Sequence, residues 1–341
     1  MTETLAATRA SSKHHVLRSN AKTVHWGYFD GALPPVLSID SGDRVTIECV
    51  SGNPEWMPSK SSGFEILPEL ADIHRHAQRG SGNHILTGPV FVRGAAAGDV
   101  LEVRIAEIEL RQNWGFNLFR PYGGTLPEAF PYARIIHVAL DRKTNRVILP
   151  SGLSVPVRPF FGQLGVAPPK AFGRQNSKEP REWGGNIDCK ELTAGSIIYL
   201  PVCNEGALFS TGDGHAAQGD GEVNGTAVET ALKGTFEFQV RKDLRWRLPR
   251  AETQSHLITF GLDVDLDVAA RTALSEMLDW IVALTNLSRD EAYSLSSFAV
   301  DLHITQTVNN VKGVHAMIER GLLRPARVIP AEAQRAERRN P

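Results

Sequence analysis

The chain has 341 residues, of which 42% are hydrophobic and 22% are charged, and its formal net charge at pH 7 is −1. This composition is ordinary for a globular protein with one large or two moderate domains. The near-neutral charge excludes a basic surface for nucleic acid, and no apolar run reaches the roughly 18 residues that a membrane-spanning helix needs.

The N-terminal sequence lacks the apolar segment of a secretory signal, which predicts a cytoplasmic protein. The three cysteines, Cys49, Cys189 and Cys203, fit a reducing compartment. Their spacing matches neither a zinc knuckle nor a C-x-x-C motif, so it indicates neither a disulfide framework nor a cysteine-based metal site.

The first two thirds of the chain has a β pattern. The segments "SGDRVTIE" at 41–48 and "AGDVLEVR" at 97–104 share a design in which a small residue, Gly and Asp precede an alternating strand. "TAGSIIYLP" at 193–201 is a third version with Ser in place of Asp. We expect hairpins of a β-sandwich in which Gly-Asp forms the turn.

Two stretches have no regular period. Residues 53–88 contain three prolines and three histidines, and residues 155–186 are rich in Pro and Gly. Both stretches are predicted to be loops, and loops of that length inside a compact domain are usually functional.

The last third changes character. Alternating strands are expected over 232–262, followed by a helix over 266–286 that Asp267 caps. A capping box from Ser288 to Glu291 begins a second helix, and "AVDLHITQTV" returns to a strand. The predicted fold is mainly β. A β-sandwich or jelly-roll core over 14–231 is followed by a smaller α+β part over 232–320 and an Arg-rich, mobile tail over 321–341.

The densest polar segment is "STGDGHAAQGDGE" at 210–222, which follows an apolar run. Asp213, His215, Asp220 and Glu222 are all metal-ligand types, and a spare carboxylate can act as a general base. In an extended segment Asp213 and His215 project from one face, because side chains alternate with period two. A solvent-exposed polar turn is the alternative, and the density of ligand types beside Gln218 favours a functional site.

Two further stretches are candidates. "GGNIDCKEL" places Asn186 and Asp188 just before a strand, where Asp188 can join Asp213 and His215; from the residues alone an Asx turn is slightly preferred. His25 lies among aromatic residues, where a histidine more often packs with its hydrogen bonds satisfied than binds a ligand. Histidines of the first long loop, including His84, can reach a pocket and exchange protons near neutral pH.

Several of these segments together resemble the acetamidase/formamidase family. They are "GDGHAAQGDGEVNGTAVET", "GGNIDCKELTAGSIIYLPV", "VHWGYFDGALPPVLSIDSGD", "TGPVFVRGAAAGDVLEV" and "VNNVKGVHAMI", and the likeness runs from about residue 14 to about residue 320. It implies hydrolysis of a small carboxamide to a carboxylate and ammonia by a β-sandwich protein. It also implies a homo-oligomer and a divalent metal, zinc or calcium. The family motifs carry over onto Asp188, Asp213, His215, Asp220 and Glu222.

These observations lead to a hypothesis. Asp188, Asp213 and His215, with Asp220, hold a divalent cation, zinc in preference to calcium. Glu222 is the general base and His215 assists in catalysis. His25, Gln218 and Asn186 are candidate substrate-binding residues.

Three alternatives stay open at this stage. Cys189 or Cys203 is a covalent nucleophile with His215 as its base. The substrate is a γ-lactam, a cyclic amide that the resembled family also includes. The protein is a non-catalytic module that binds sugars or other small ligands through a metal held in its loops.

Overall fold

The structure is a computed structural model that describes residues 12–323. Within that range the chain forms strands and three α-helices, joined by turns and short 3₁₀ segments. The strands of the first half are β1 His14–Leu17, β2 Val24–Trp26, β3 Tyr28–Phe29, β4 Leu37–Ile39, β5 Arg44–Glu48, β6 Ile85–Val92, β7 Val100–Leu110, β8 Trp114–Phe119, β9 Arg134–Asp141, β10 Arg146–Ile148, β11 Ser154–Pro156 and β12 Phe160–Gly165. Those of the second half are β13 Gln175–Asn176, β14 Gly184–Asn186, β15 Ile197–Pro201, β16 Phe209–His215, β17 Glu229–Thr230, β18 Leu232–Arg241, β19 Arg250–Glu252, β20 His256–Asp263, β21 Val300–Gln306 and β22 Lys312–Glu319. The helices are α1 Pro68–His76, α2 Leu266–Leu284 and α3 Arg289–Ala299.

Two large sheets form the body of the protein. One has nine strands in the order β1-β5-β18-β7-β15-β19-β20-β22-β21. The other has eleven, with β11-β10-β9-β8-β17-β16-β12-β14 in order and β6 added to β16, together with its partners β2 and β4. Their facing sides share one core, in which Phe161 of β12 packs against Phe236 of β18 with ring centroids 5.3 Å apart. The predicted mainly β, sandwich-like fold is confirmed.

The Gly-Asp turns do not make the hairpins that the sequence predicts. The strands before and after each turn belong to different sheets, because β4 pairs with β6 whereas β5 pairs with β1 and β18. Asp43 and Asp99 stabilise these turns by accepting backbone N–H bonds from Asp40 and Ala96, both at 3.0 Å. The shared motif therefore marks points where the chain crosses from one sheet to the other.

The helical part lies against the nine-stranded sheet. Helix α2 packs on β20 and β22 through buried residues that include Met277 and Ile281. Its N-cap is Asp265, whose carboxylate accepts from the Asp267 and Val268 amides, so the prediction of Asp267 as the cap was wrong. The capping box at Ser288 that begins α3 is confirmed.

The proposed internal boundary at residue 231/232 falls at the start of β18. That strand pairs with β5 and β7, so the nine-stranded sheet contains strands from both sides of the boundary. The division into a core and a C-terminal part stays a prediction. Of the predicted tail, 321–323 end a 3₁₀ segment and 324–341 lie outside the described residues.

Both stretches predicted as loops contain regular structure. Residues 53–88 include α1 and the start of β6, with two 3₁₀ segments. Residues 155–186 include β12, a fully buried strand between β14 and β16. The prediction of one continuous loop was wrong here because Gly and Pro hide the alternating pattern of β12. The glycines of this strand let neighbouring segments of the same chain approach closely. Among the described helices, none combines the length and apolar character needed to cross a bilayer.

Candidate active site

Strand β16 carries the first two site residues. Asp213 and His215 lie inside this strand, not just past its end, and His215 pairs with Phe160 of β12 on one side and with Glu229 of β17 on the other. Both side chains lie on one face of the strand, with Asp213 Oδ2 3.4 Å from His215 Nε2. The same-face placement expected from the Asp-x-His spacing is confirmed.

Asp188 joins this pair from the segment that follows β14. Its Oδ2 accepts a hydrogen bond from Asn309 Nδ2 at 2.5 Å, whereas its Oδ1 has no hydrogen-bond partner within residues 12–323. Gln218 Nε2 donates to the backbone carbonyl of Asp188 at 2.8 Å and ties it to the polar segment after β16. One carboxylate oxygen is thus held and the other is left for a ligand.

Two glutamates complete the acidic group. Glu229 of β17 places its Oε2 3.4 Å from His215 Nε2. Glu222 lies in the turn before β17, and its neighbour Gly221 is held by backbone bonds to Thr305 and Thr307 at 3.1 and 3.0 Å. The C-terminal strand β21 and the residues after it therefore help to build the site.

Three of the acidic residues have left-handed backbone conformations. The φ angles are 54° at Asp188, 57° at Asp213 and 43° at Glu222. Non-glycine residues adopt such angles rarely and at a cost in free energy, and they concentrate where function requires it. The backbone is strained at the positions that aim these carboxylates inward.

Gly162 of β12 forms the floor under the converging side chains. A Cβ atom at this position would lie 2.5 Å from Asp188 Oδ1, 2.7 Å from Asp213 Oδ2 and 2.8 Å from His215 Cε1. No side chain fits in that space. The glycine therefore leaves room in which a small ion or molecule can contact all three groups.

A cavity of about 50 Å³ opens beside this cluster. Its lining residues include Trp56, His84, Phe116, Arg120, Asn186, Asp213, Glu222, Glu229 and Asn309. The cluster itself is shielded from solvent, with exposed fractions of 1% for Asp188 and His215, 4% for Glu229, 6% for Glu222 and 7% for Asp213. A space this small suits water and a small substrate.

Crowding and burial shift the ionisation of the carboxyl groups. Burial, opposed by the charge of His215 and aided by that of Asp213, raises the pKa of Asp188 to about 8 and that of Glu229 to about 7. Burial also raises the pKa of Glu222 well above its usual range, with a second contribution from Asp188. In the absence of a cation, these groups retain protons near neutral pH.

The pKa values of His215 and Asp213 are shifted in the opposite sense, toward the charged form of each group. Burial alone would lower the pKa of His215, but the charges of Glu229 and Asp213 raise it well above 6.5. Burial favours the neutral form of Asp213, yet His84 and His215 together bring its pKa far below the usual range. His84 Nε2 lies 3.8 Å from Asp213 Oδ2.

The donor atoms are arranged as ligands for a cation. Asp188, His215 and Glu222 each offer an atom within 4.8 Å of the other two, and so do Asp213, His215 and Glu229. Both ring nitrogens of His215 lack a hydrogen-bond partner in the described chain, although the ring is buried. Buried polar atoms are normally paired, and mixed carboxylate and imidazole ligands suit divalent metals. The residues fit a metal site.

Not every predicted site residue belongs to this cluster. Asp220 is in neither ligand group, because its carboxylate pairs with the Lys190 ammonium and with His303 Nδ1 at 3.3 Å. His25 does not line the cavity; its Nδ1 donates to the Tyr28 carbonyl at 2.6 Å and its Nε2 lies 2.8 Å from Ser210 Oγ.

The other two predicted substrate-binding residues lie nearer. Asn186 lines the cavity, but its Oδ1 accepts from Gln163 Nε2 at 2.5 Å and its Nδ2 donates to the Lys178 carbonyl at 3.0 Å. Gln218 contacts the backbone of Asp188 and is not among the residues that line the cavity. Both residues support the walls of the site in this structure.

Sequence reasoning missed Glu229, Asn309 and Gly162 as parts of the site. Glu229 and Asn309 lie inside the quoted segments "GTAVET" and "VNNVKG", but each is a single polar residue without a local partner to mark it. Gly162 was hidden in a stretch taken for a loop. His84 was named only as one of several loop histidines, and its proximity to Asp213 depends on the pairing of β6 with β16.

The fold and the cluster together define a β-sandwich protein with a buried, carboxylate-rich site of the metal-binding type. A sequence model of the Acetamidase/Formamidase family matches residues 12–179 and 175–318. The chain belongs to this family.

Known relatives agree with this assignment. A formamidase from Methylophilus methylotrophus is 26% identical over 242 residues, which cover 56% of this chain and 57% of that protein. The chain spans less than two thirds of the length of the curated relatives that it matches. A crystal structure described as a predicted acetamidase/formamidase from Thermoanaerobacter tengcongensis superposes with a TM-score of 0.80 at 29% identity, covering 92% of this chain and 98% of that one. A γ-lactamase from Delftia acidovorans, at a TM-score of 0.60 and 22% identity over 92% of this chain and 95% of its own, shares the fold.

Proposed function

We propose that the protein hydrolyses a small carboxamide, of the size of formamide or acetamide, to a carboxylate and ammonia. The observation that carries this proposal is the convergence of Asp188, Asp213 and His215 on the space above Gly162, with Glu222 beside it and a small cavity in front. Membership of the Acetamidase/Formamidase family and likeness to a formamidase support it.

The site would hold a divalent cation through Asp188, Asp213 and His215. Four buried carboxyl groups around one imidazole repel one another unless a cation offsets their charge. We propose zinc because imidazole nitrogen is a preferred zinc ligand; calcium, which prefers oxygen, is the alternative. When bound, such an ion supplies Lewis acidity, which polarises an amide carbonyl and makes a water molecule easier to deprotonate.

Glu222 is proposed to move the proton. It lines the cavity, and burial, followed by the charge of Asp188, raises its pKa well above the usual range of a glutamate, which makes it a stronger base when ionised. Water adds to the carbonyl carbon, Glu222 takes its proton and delivers it to the amide nitrogen, and the C–N bond breaks to release ammonia. The acyl group leaves as the carboxylic acid, which releases its own proton to become the carboxylate.

During hydrolysis the carbonyl oxygen of the amide gains negative charge, which backbone N–H groups can stabilise. Gly212 and Gly214 of β16 do not supply such groups. Gly212 and Gly214 lie inside β16 and pair in register with Gln163 and Phe161 of β12. They do not form an open turn of free N–H groups. Their role is close packing, since a Cβ at Gly214 would lie 2.6 Å from the Thr230 carbonyl oxygen.

Replacement of Glu222 by Gln tests the proton transfer. Loss of a general base usually costs about 10²- to 10⁴-fold in rate, and we expect ammonia release to fall by that amount while bound zinc is retained. Glu107→Gln, on the exposed face of the nine-stranded sheet, is the matched control and should leave both quantities unchanged. Full activity of Glu222→Gln with normal zinc content would remove Glu222 from the chemistry.

The structure weighs against the cysteine route. Burial raises the pKa of Cys189 strongly and that of Cys203 to about 11, and the thiolate is the reactive form. The buried, cavity-lining Glu222 favours an enzyme over a sugar-binding module. Hydrolysis of a γ-lactam is not favoured, because the γ-lactamase likeness shows the fold alone. A homo-oligomer located in the cytoplasm stays a prediction.

A further inference from the structure

We propose that the mouth of the cavity contains a subsite for a carboxylate group, centred on Arg120 and supported by Lys178. This inference deepens the proposed function and rests on it. It adds a binding feature that neither the uncharged amide group nor the catalytic cluster requires.

Arg120 is the positively charged residue of the cavity wall. It follows β8 and lines the cavity together with His84, Glu222 and Asn309. Its guanidinium carbon lies 5.4 Å from the centre of the Trp56 ring, a cation–π contact that holds the exposed side chain at the rim. Within residues 12–323 the guanidinium has neither a hydrogen bond nor an ion pair, so its N–H donors are available to a ligand.

Two other cationic side chains, Arg79 and Lys178, lie near enough to Arg120 to interact with it electrostatically. Arg79 is paired with Glu55 at 3.2 Å, but Lys178 makes only a 3.4 Å contact with the Asn310 side chain and no ion pair in the described chain. Partial burial, and after it the charge of Arg120, lowers the pKa of Lys178. Partial burial, and after it the charge of Arg79, lowers the pKa of Arg120. The two unpaired cations repel each other, and an anion bound at Arg120 would relieve that repulsion.

A carboxylate is the anion that the chemistry supplies. A guanidinium binds a carboxylate through two parallel, charge-assisted hydrogen bonds. Every turnover of an amidase makes one carboxylate in the small cavity behind Arg120. A substrate that carries a carboxylate beside its amide would present the same group at the mouth before hydrolysis.

The two sources of the carboxylate are separated by two kinetic measurements on the zinc-loaded, full-length protein. The first is the inhibition constant of formate, which reports the product. The second is the ratio of kcat/KM for malonamate to that for malonamide, an anionic and a neutral amide of the same length, which reports a substrate carboxylate. The variants are Arg120→Met, which keeps an apolar stem against Trp56, and Lys178→Met. The control is Arg142→Met, an exposed arginine in the turn between β9 and β10.

Loss of one charge-assisted contact corresponds to about a ten-fold change in binding. In Arg120→Met we expect the inhibition constant of formate to rise about ten-fold, the malonamate preference to fall about ten-fold, or both. A weaker formate inhibition alone assigns the subsite to the product, and a lower malonamate preference assigns it to the substrate. Arg142→Met should match the parent protein in both measurements.

The proposal is overturned if both quantities are the same in Arg120→Met, Lys178→Met and the parent protein. It is also overturned if the only effect of Arg120→Met is tighter zinc binding, which would mean that Arg120 merely offsets the acidic cluster. If the parent protein hydrolyses no amide, the proposed function fails instead. Binding of ¹³C-formate, followed by NMR line width in parent and Arg120→Met proteins, then tests the subsite independently, with equal binding as the contrary result.

Discussion

Asn309 donates a hydrogen bond to Asp188 across 121 residues of sequence, with Nδ2 2.5 Å from Oδ2, and both side chains are buried. The bond fixes the Asp188 carboxylate so that Oδ1 faces the candidate ligand space. Asn309 is itself held, because Gln306 Oε1 accepts its backbone N–H at 3.1 Å. The segment after β21 therefore positions a candidate ligand in the segment that follows β14 of the other sheet.

Replacement of Asn309 by Ala should weaken zinc binding. Residues that orient metal ligands typically contribute about 10- to 100-fold to metal affinity, and we expect a loss in this range. Zinc titration against a competing chelator measures it. Asn310→Ala, whose side chain contacts Glu179 and Lys178 at the surface, serves as the control. Equal affinities of Asn309→Ala and the parent protein would show that Asp188 does not need this support.

Replacement of Gly162 by Ala should disable the site. The added methyl group would overlap Asp188 Oδ1 and Asp213 Oδ2, so the ligands must move by a substantial fraction of an ångström. A misplacement of about 1 Å can cost about 100-fold in rate, and we expect ammonia release to fall to that extent. Overpacking also costs about 1–3 kcal/mol of stability, which thermal unfolding measures separately.

Gly219→Ala is the matched control for Gly162→Ala. A Cβ at Gly219 would have no neighbour within 4 Å in the described structure, and this glycine is in the same polar segment as the site. Its activity should equal that of the parent protein. An active Gly162→Ala protein with normal zinc content would contradict the placement of the ligands above this glycine.

The sequence predicts the parts of this protein that depend on local pattern. Alternating residues identify strands such as β7 and β18, and the spacing of Asp213 and His215 places them on one face. Local pattern does not reveal pairing between distant segments. Asp220 has the right chemistry for a ligand, yet its carboxylate pairs with Lys190 and contacts His303. Glu229 looks like an ordinary strand residue until β17 pairs with β16.

The buried β12 was missed for a related reason. Its glycines and the prolines around it are typical of a loop, but Gly162 and Gly165 exist to let Asp188 and the β14 backbone approach closely. Close approach between elements leaves no periodic signal in the sequence. The Gly-Asp turns show the same limit, because the motif predicts a turn without predicting which sheet the next strand joins.

Stability of the metal-free protein should fall as pH rises from about 6.5 to about 8, above the range in which the buried His25 and His315, whose pKa values are lowered to about 4 and about 3, act in the opposite direction. Burial raises the pKa values of Asp188 and Glu229 from 3.8 and 4.5 to about 8 and about 7, so the folded state binds more protons than the unfolded state between these values. Stability then decreases with increasing pH. The melting temperature measured across this range with a chelator present tests the sign.

Bound zinc should reverse that trend. Metal binding displaces the protons from the carboxyl groups, so zinc affinity increases with pH up to about 8. Asp188→Asn removes the group with a pKa of about 8, and its metal-free melting temperature should vary less with pH. A melting temperature that rises from pH 6.5 to 8 in the metal-free parent protein would mean that the acidic cluster is not crowded as described.

Thiol alkylation should leave activity intact. Cys49 and Cys189 are buried, and burial raises the pKa of both, so neither forms a reactive thiolate near neutral pH. After treatment of the native protein with N-ethylmaleimide, ammonia release should match that of the untreated sample, and mass spectrometry reports which thiols reacted. Inactivation in proportion to modification of one cysteine would favour a covalent mechanism.

The proposed hydrolysis depends on a cation held by Asp188, Asp213 and His215. The most direct measurement is ammonia release from formamide or acetamide, in chelator-treated protein, as zinc is returned in steps and bound metal is counted in the same samples. Activity should be lost with the metal and should return in proportion to zinc bound, and Asp213→Asn should bind zinc weakly and stay inactive. An undiminished rate in protein shown to contain no metal would contradict the account.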